Sequence, residues 1–335
     1  MLPAPAVLSR LGCRRALQGA AAALVVLGLL LWWLLPFGQS SPSGQLTLST
    51  GSHSGVYQRY GVLLKEALAR DMPDLEIDLR TSEGSQQNLA RVASGEADFT
   101  IATADAVATY KRQKLAGADQ LRGCARLYDD YVQLVVPKNS PVRSVHDLRG
   151  KAVGVGQDGS GIRLVADRLM TAAGLDPEQD ITPFPSGINA APGQLEKGAI
   201  DAFFWSGGLP TNTVQKLSER FPVRLVPLGP ELVAKLHASG DPTSYYRSAV
   251  MPADAYPQAQ GGERVETVAV ANLLVTMERM SPAQTEGFTR TVIRSRDRIG
   301  NTVHPAQLVD LRTAVYTDPL PLHEGARRYY RSVKP

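Results

Sequence analysis

Cysteine is nearly absent from these 335 residues: only Cys13 and Cys124 occur. An uncharged apolar segment lies between them, so a membrane would separate the two thiols. That excludes an intrachain disulfide framework, and no C-x-x-C pair exists for zinc or redox exchange. Cys13 follows Gly12, but no apolar stretch precedes it and Arg10 sits where a lipidation motif wants a small or aliphatic residue. Histidine is equally thin. His53, His146, His237, His304 and His323 are scattered, with no two at metal-binding spacing. No G-x-S-x-G elbow and no P-loop is present. An excess of one charge is missing as well. The formal charge is +4, but Arg10, Arg14 and Arg15 stand in the first 40 residues without an acid, which leaves 33 basic against 32 acidic residues beyond them. Such a balance offers no footprint for nucleic acid. Together these absences point away from metalloenzymes, hydrolases and nucleic-acid readers, and we expect no catalytic residue, no metal and no cofactor.

What is present begins with residues 16–37, which run 22 residues without a charge and include Trp32 and Trp33. About 20 apolar residues are what a helix needs to cross a bilayer. The three arginines just ahead place the N-terminus in the cytoplasm and the rest outside. A cleaved signal peptide is the competing reading, but its core is usually shorter and ends in small residues. Here the end is Leu34-Leu35-Pro36-Phe37-Gly38. We therefore expect an uncleaved anchor in the inner membrane and a folded part in the periplasm.

After a Ser/Pro/Gly-rich linker, strand and helix patterns alternate. Leu46 and Leu48 begin a strand that stops at Thr50-Gly51. A helix from about Tyr57 to Asp71 carries Tyr60, Leu63, Leu64, Ala67 and Leu68 on one face. Leu75, Ile77 and Leu79 alternate as a second strand, residues 88–94 read as a helix stopped by Gly95, and Phe99 with Ile101 form a third strand. The pattern restarts with an apolar run at 131–136, a strand at 151–156, helices at 162–173 and 194–197, and a strand at 202–205. A long apolar strand at 265–276 comes late enough to return to the first sheet. Helices are expected over 281–299 and from 305 to about 316. The βα order predicts a mostly parallel sheet covered by helices. A discontinuous first lobe would leave a cleft against the second, a common place for ligands.

Ligands of open parallel sheets bind beyond the carboxyl ends of the strands, which selects five loops. The first is residues 50–57, containing His53, Ser54, Gly55 and Tyr57. The second is 82–88, with Ser85 and Asn88. The third is 102–105, where Asp105 also reads as a helix cap. The fourth is 154–161, whose Gly154, Gly156 and Gly159 satisfy G-x-G-x-x-G. A dinucleotide reading needs an acid further on. Asp176 and Glu178 stand near the expected distance, but in a Gly-x-Asp-Pro turn. We read Gly159, Ser160 and Gly161 instead as an anion seat at a helix start. The fifth loop, 205–210, offers Trp205 and Ser206.

In order and spacing these loops resemble the TAXI family, the solute-binding subunits of TRAP transporters. The resemblance covers roughly residues 46–279. It rests on Thr50, Gly51, Gly55 and Tyr57, on Gly84, Ser85 and Asn88, and on Ser94 to Asp98. It continues through Ala104-Asp105, Ser144 to Lys151, Gly159 to Gly161, Ala202 to Phe204, Leu209 to Thr211 and Pro252 to Pro257. Ser52, His53, Ser54 and Gln58 depart from the family pattern. The resemblance implies an α/β fold of the two-lobed periplasmic binding protein type (type II, Venus-flytrap). It implies a small carboxylate or acidic amino acid as ligand, held by His53, Ser54, Gly55, Tyr57, Ser85, Asn88, Asp105, Gly159, Ser160, Gly161, Trp205 and Ser206, and TRAP permease subunits as partners. The expected organisation is a cytoplasmic N-terminus at 1–15, an anchor at 16–37, a linker at 38–44, lobe 1 at 45–137 and 248–335, and lobe 2 at 138–247. The alternatives are a membrane-anchored sensor presenting its solute to a receptor and, further off, a dinucleotide-dependent enzyme.

Overall fold

The computed structural model describes residues 18–19, 24–27, 42–240 and 242–333. The chain divides into two units, Met1–Ser41 and Pro42–Pro335. In the first, residues 24–27 are helical and exposed; the rest of the expected anchor, except residues 18–19, lies outside the described residues, as does Cys13. Among the described residues no helix is long and apolar enough to cross a membrane.

The second unit is built on one ten-stranded sheet. Its strands are β1 (Gly44–Ser49), β2 (Leu75–Arg80), β3 (Phe99–Thr103), β4 (Leu121–Pro137), β5 (Ala152–Gly154), β6 (Thr182–Phe184), β7 (Ala202–Gly207), β8 (Val223–Val226), β9 (Tyr246–Met251) and β10 (Val265–Met277). They lie in the order β2-β1-β3-β10-β4-β7-β5-β6, with β8 beside β4 and β9 beside β10. The expected parallel pairing holds at the two ends, where β1 runs parallel to β2 and β3, and β5 parallel to β6 and β7. The centre differs. β4 and β10 are antiparallel to each other and to every other strand they touch. Such long strands change partners midway. β10 pairs with β9 through residues 265–270 and with β3 through 272–276.

The helices that bear on the site are α1 (Val56–Asp71), α2 (Ser85–Ser94), α3 (Ala104–Arg112), α4 (Gly161–Ala172) and α5 (Ala191–Glu196). α2 stops as its sequence implies, with Gly95 in the left-handed conformation at φ 85°. Towards the C-terminus come α6 (Pro282–Arg294), α7 (Arg296–Gly300), α8 (Leu311–Ala314) and α9 (Glu324–Val333). The expected helix over 305–316 is instead a 3₁₀ turn, His304–Leu308, and the single turn of α8. Asp310 divides them by accepting the Arg312 amide at 2.7 Å and so restarting the helix.

Apolar packing falls into two halves, each filling both faces of its part of the sheet. In the first half Phe99 stacks on Phe288 with ring centroids 4.2 Å apart, and Tyr329 and Tyr330 of α9 close the same core. Leu89, Val107 and Leu273 fill the opposite face. In the second half Val132, Leu169 and Val268 share one core while Phe203, Leu217 and Tyr256 share the other. Tyr128 packs in the first half and Val132 in the second, and Val270 in the second and Leu273 in the first. Apolar packing thus passes from one cluster to the next inside β4 near Asp130 and inside β10 near Asn272.

Candidate functional site

One cavity, with a volume of about 70 Å³, is lined by loops from both halves. A single water needs roughly 10–15 Å³ on this measure, so the space holds several waters or one small solute. Its wall follows the carboxyl ends of the parallel strands. Gly51, Ser52 and Gly55 follow β1, Gly84 and Ser85 follow β2, and Thr103 ends β3. From the other half Gln157, Ser160 and Gly161 follow β5, Gly187 and Ile188 follow β6, and Trp205 to Gly207 end β7.

Three helices begin on this cavity. Gly55 precedes α1, Gly84 precedes α2, and Ser160 caps α4 by accepting the Arg163 amide at 3.1 Å. First-turn amides have no acceptor in their own helix, and together with the helix dipole they favour negative charge. The starts of α2 and α4 are drawn together across the halves. The Gln86 Nε2 donates to the Ser160 carbonyl at 2.8 Å, and the Gln87 amide donates to the Gly159 carbonyl at 3.1 Å. Ser54 Oγ donates to Asn189 Oδ1 nearby.

On the floor, Asp130 is only 4% exposed. Its Oδ1 accepts from Asn272 Nδ2 at 2.8 Å, and Asn272 Oδ1 accepts from the Tyr57 hydroxyl, which also lies 3.4 Å from Ser85 Oγ. Burial pushes the Asp130 carboxyl up to about 7; the Asn272 hydrogen bond opposes this, and the charges of Asp129 and Asp105 add to it. Burial likewise holds the Tyr57 hydroxyl well above its ordinary value, with Asp130 reinforcing it. Trp205 supplies an apolar wall, its Nε1 donating to Thr211 Oγ1 at 3.0 Å. The Ser206 hydroxyl oxygen is buried with no hydrogen-bond partner.

Of the residues singled out in the sequence, the structure brings Gly55, Tyr57, Ser85, Ser160, Gly161, Trp205 and Ser206 to this cavity. Five do not line it. His53 and Ser54 are exposed. Asn88 is fully buried beneath α2, where Nδ2 donates to the Thr50 and Ile101 carbonyls at 2.7 and 2.9 Å and Oδ1 accepts from Ser49 Oγ at 2.7 Å. Asp105 caps nothing. It pairs with Arg168 of α4 at 3.0 Å and accepts from the Tyr246 hydroxyl at 2.7 Å. Gly159 contributes its carbonyl to α2. Two glycines of the G-x-G-x-x-G run serve close packing, since a β-carbon on Gly154 would lie 2.9 Å from Phe203 Cβ and one on Gly156 2.4 Å from Ile162 Cγ2, whereas Gly159 serves a turn at φ 78°. Asp176 accepts the Glu178 and Gln179 amides, and Glu178 pairs with Arg163. Neither acid lines the cavity.

Sequence reasoning missed Asp130 and Asn272, and selected the loops of Thr103 and Gln157 without singling these two out. Asp130 carried a usable signal, because two consecutive acids, Asp129 and Asp130, stand immediately before the apolar run of 131–136.

Solved structures share the architecture. An ancestral arginine-binding protein bound to arginine is 17% identical at a TM-score of 0.50, covering 77% of this chain and 97% of its own. A protein assigned as an L-cystine ABC transporter from Listeria monocytogenes is 15% identical at 0.50, covering 79% and 98%. The alkanesulfonate-binding protein SsuA from Xanthomonas axonopodis pv. citri, bound to MOPS, is 20% identical at 0.48, covering 88% and 86%. The likeness to the first two carries an α/β periplasmic-binding-protein-like fold. Over residues 48–333, nearly the whole of its second unit, the chain belongs to the NMT1-like family.

Proposed function

We propose that this chain is an extracytoplasmic solute-binding protein, tethered through residues 16–37, that captures a small carboxylate or amino acid and hands it to a membrane permease without altering it. The observation that carries the reading is one cavity on which three helices begin, two from one half and one from the other. A carboxylate there accepts charge-assisted hydrogen bonds from amides that no helix turn satisfies. Because both halves touch the ligand, its binding energy favours the closed arrangement over an open one. We assign residues 42–130 and 271–333 to one lobe and 131–270 to the other, with the crossings in β4 and β10 as hinges. The binding proteins named among the structural neighbours take arginine and alkanesulfonates, which fits a site for a small charged metabolite. The finer reading is a TAXI-type receptor working with TRAP permease subunits, supported by the loop motifs in their order. The neighbour assigned to cystine is named for ABC-type import, and co-purification of the chain with its permease distinguishes the two systems. The experiment that tests solute binding is mass spectrometry of small molecules released on denaturing the purified chain. One stoichiometric organic acid or amino acid is expected. Its absence, together with no saturable binding across a metabolite library, contradicts the reading.

A further inference from the structure

Carboxylate recognition alone leaves the floor of the cavity unexplained. Among the residues lining it, Asp130 and Glu83 are acidic and none is Lys, Arg or His. Glu83 is exposed, so its charge is screened by water. Asp130 is buried at the crossing between halves, and its one hydrogen-bond partner among the described residues is Asn272, on Oδ1. Among the described residues no cation pairs with it. The nearby arginines are taken by its neighbours: Arg126 and Arg247 both hold Asp129, and Arg168 holds Asp105. The other groups facing Asp130 are the hydroxyls of Tyr57 and Tyr128, which cannot offset a negative charge. A buried carboxylate without a counter-charge is costly, and here it opens on the space a solute occupies.

Resting on the solute-binding reading, we propose that Asp130 determines specificity by seating a cationic nitrogen, so that the ligand is an amine-bearing acid rather than a simple carboxylate or sulfonate. The helix starts hold the acid group at one end while the free side of Asp130 takes the ammonium at the other. An acid lacking the amine sets a second negative charge towards Asp130 and leaves the carboxylate unpaired. Removing one member of a buried charge pair of this kind weakens binding by at least about thirtyfold. Binding also carries a pH signature. Asp130 in the empty cavity titrates at about 7. Below that pH the ammonium must displace a proton, so affinity falls towards about tenfold per pH unit as the solution is acidified. A ligand without an amine gives the opposite sign, because a protonated Asp130 then donates to it.

The test uses the full chain in detergent and thermal shift, with the twenty amino acids, their deaminated counterparts and the diamine putrescine as probes. The proposal expects amine-bearing acids to raise the melting temperature and deaminated partners to fail. It expects Asp130→Asn, which keeps the shape and the Asn272 contact, to lose the response by at least about thirtyfold in affinity without melting lower when ligand-free. If putrescine alone stabilises the wild type and Asp130→Asn abolishes it, the Asp130 seat stands and the carboxylate seat falls. If a deaminated acid stabilises wild type and Asp130→Asn equally, the proposal is overturned while solute binding survives. A panel in which nothing responds overturns the Asp130 proposal, while solute binding is decided separately by the released metabolite and the metabolite library.

Discussion

Gly84 and Gly161 meet across the mouth of the cavity, so close that a β-carbon built on Gly84 would lie 3.3 Å from the Gly161 amide nitrogen. Gly84 also holds φ 136°, a left-handed value open to glycine alone among common residues. Gly161 does not, and a β-carbon there would meet Ser85 Oγ at 3.0 Å. Alanine at 161 therefore suits the local backbone and collides only when the two helix starts approach. Gly161→Ala should weaken solute affinity by about tenfold, of the order of 1.4 kcal/mol, with little change in ligand-free unfolding. Calorimetry and denaturant melts measure the two separately. Equal affinity would mean that the starts of α2 and α4 need not touch when solute is held.

Arg168 and Asp105 form a second bridge between halves. Asp105 is wholly buried, the Arg168 side chain is 14% exposed, and Thr109 Oγ1 also accepts from Arg168, at 2.6 Å. Breaking a buried pair leaves an uncompensated charge that costs about 3–5 kcal/mol. Arg168→Met should lower stability by that order, and Asp105→Asn by less, since an amide still accepts from Tyr246. Urea unfolding of both variants and of the double variant tests this; additive losses would mean that the two side chains do not act as a pair.

Trp205 offers its ring to the cavity and ties its Nε1 to Thr211. Trp205→Ala removes an apolar wall of the site and should reduce affinity by roughly 1–3 kcal/mol, about five- to 150-fold. Trp205→Phe restores part of it. If the indole served only as core, both variants would lose stability and keep affinity.

In the ligand-free protein Asp130 acts on stability through its proton. Its folded pKa of about 7 lies above the value near ~4 of a carboxyl in an unfolded chain. Folding is therefore favoured while the group is protonated, in acid, and this contribution is lost as pH rises between those two values. Asp130→Asn should be more stable than wild type by up to a few kcal/mol at pH 8 and indistinguishable from it at pH 4. Identical pH profiles for the two proteins would remove the basis for a perturbed Asp130.

Much of the scaffold was legible because local chemistry and burial agree there. The α1 face of Tyr60, Leu64 and Leu68, the strand Leu75 to Leu79 and the glycine stop after α2 follow from periodicity and capping alone. Strand β4 was legible only from residue 131, because Arg122, Gly123, Arg126, Asp129 and Asp130 break its apolar run. Those charges are tolerated through distant partners, such as Glu278 for Arg122 and Arg247 for Asp129, and one sequence does not reveal such partners. Helix α9 escaped for a related reason: its buried Ala326, Tyr329 and Tyr330 are interleaved with three arginines. The site divides similarly. Glycine-rich strand-to-helix turns announce themselves by composition, whereas Asp130 and Asn272 enter from mid-strand, where only the sheet topology brings them together. Asn88 and Asp105 stand beside the right loops, yet each side chain turns inward to satisfy backbone or charge.

The most direct test of solute binding between the halves is isothermal titration of the released metabolite into the wild type and into Gly161→Trp, both depleted of ligand. Wedging an indole between the starts of α2 and α4 should hold them apart and abolish binding while leaving the ligand-free melting temperature within a few degrees of wild type. Unchanged stoichiometry and affinity in Gly161→Trp would place the solute elsewhere and contradict the account.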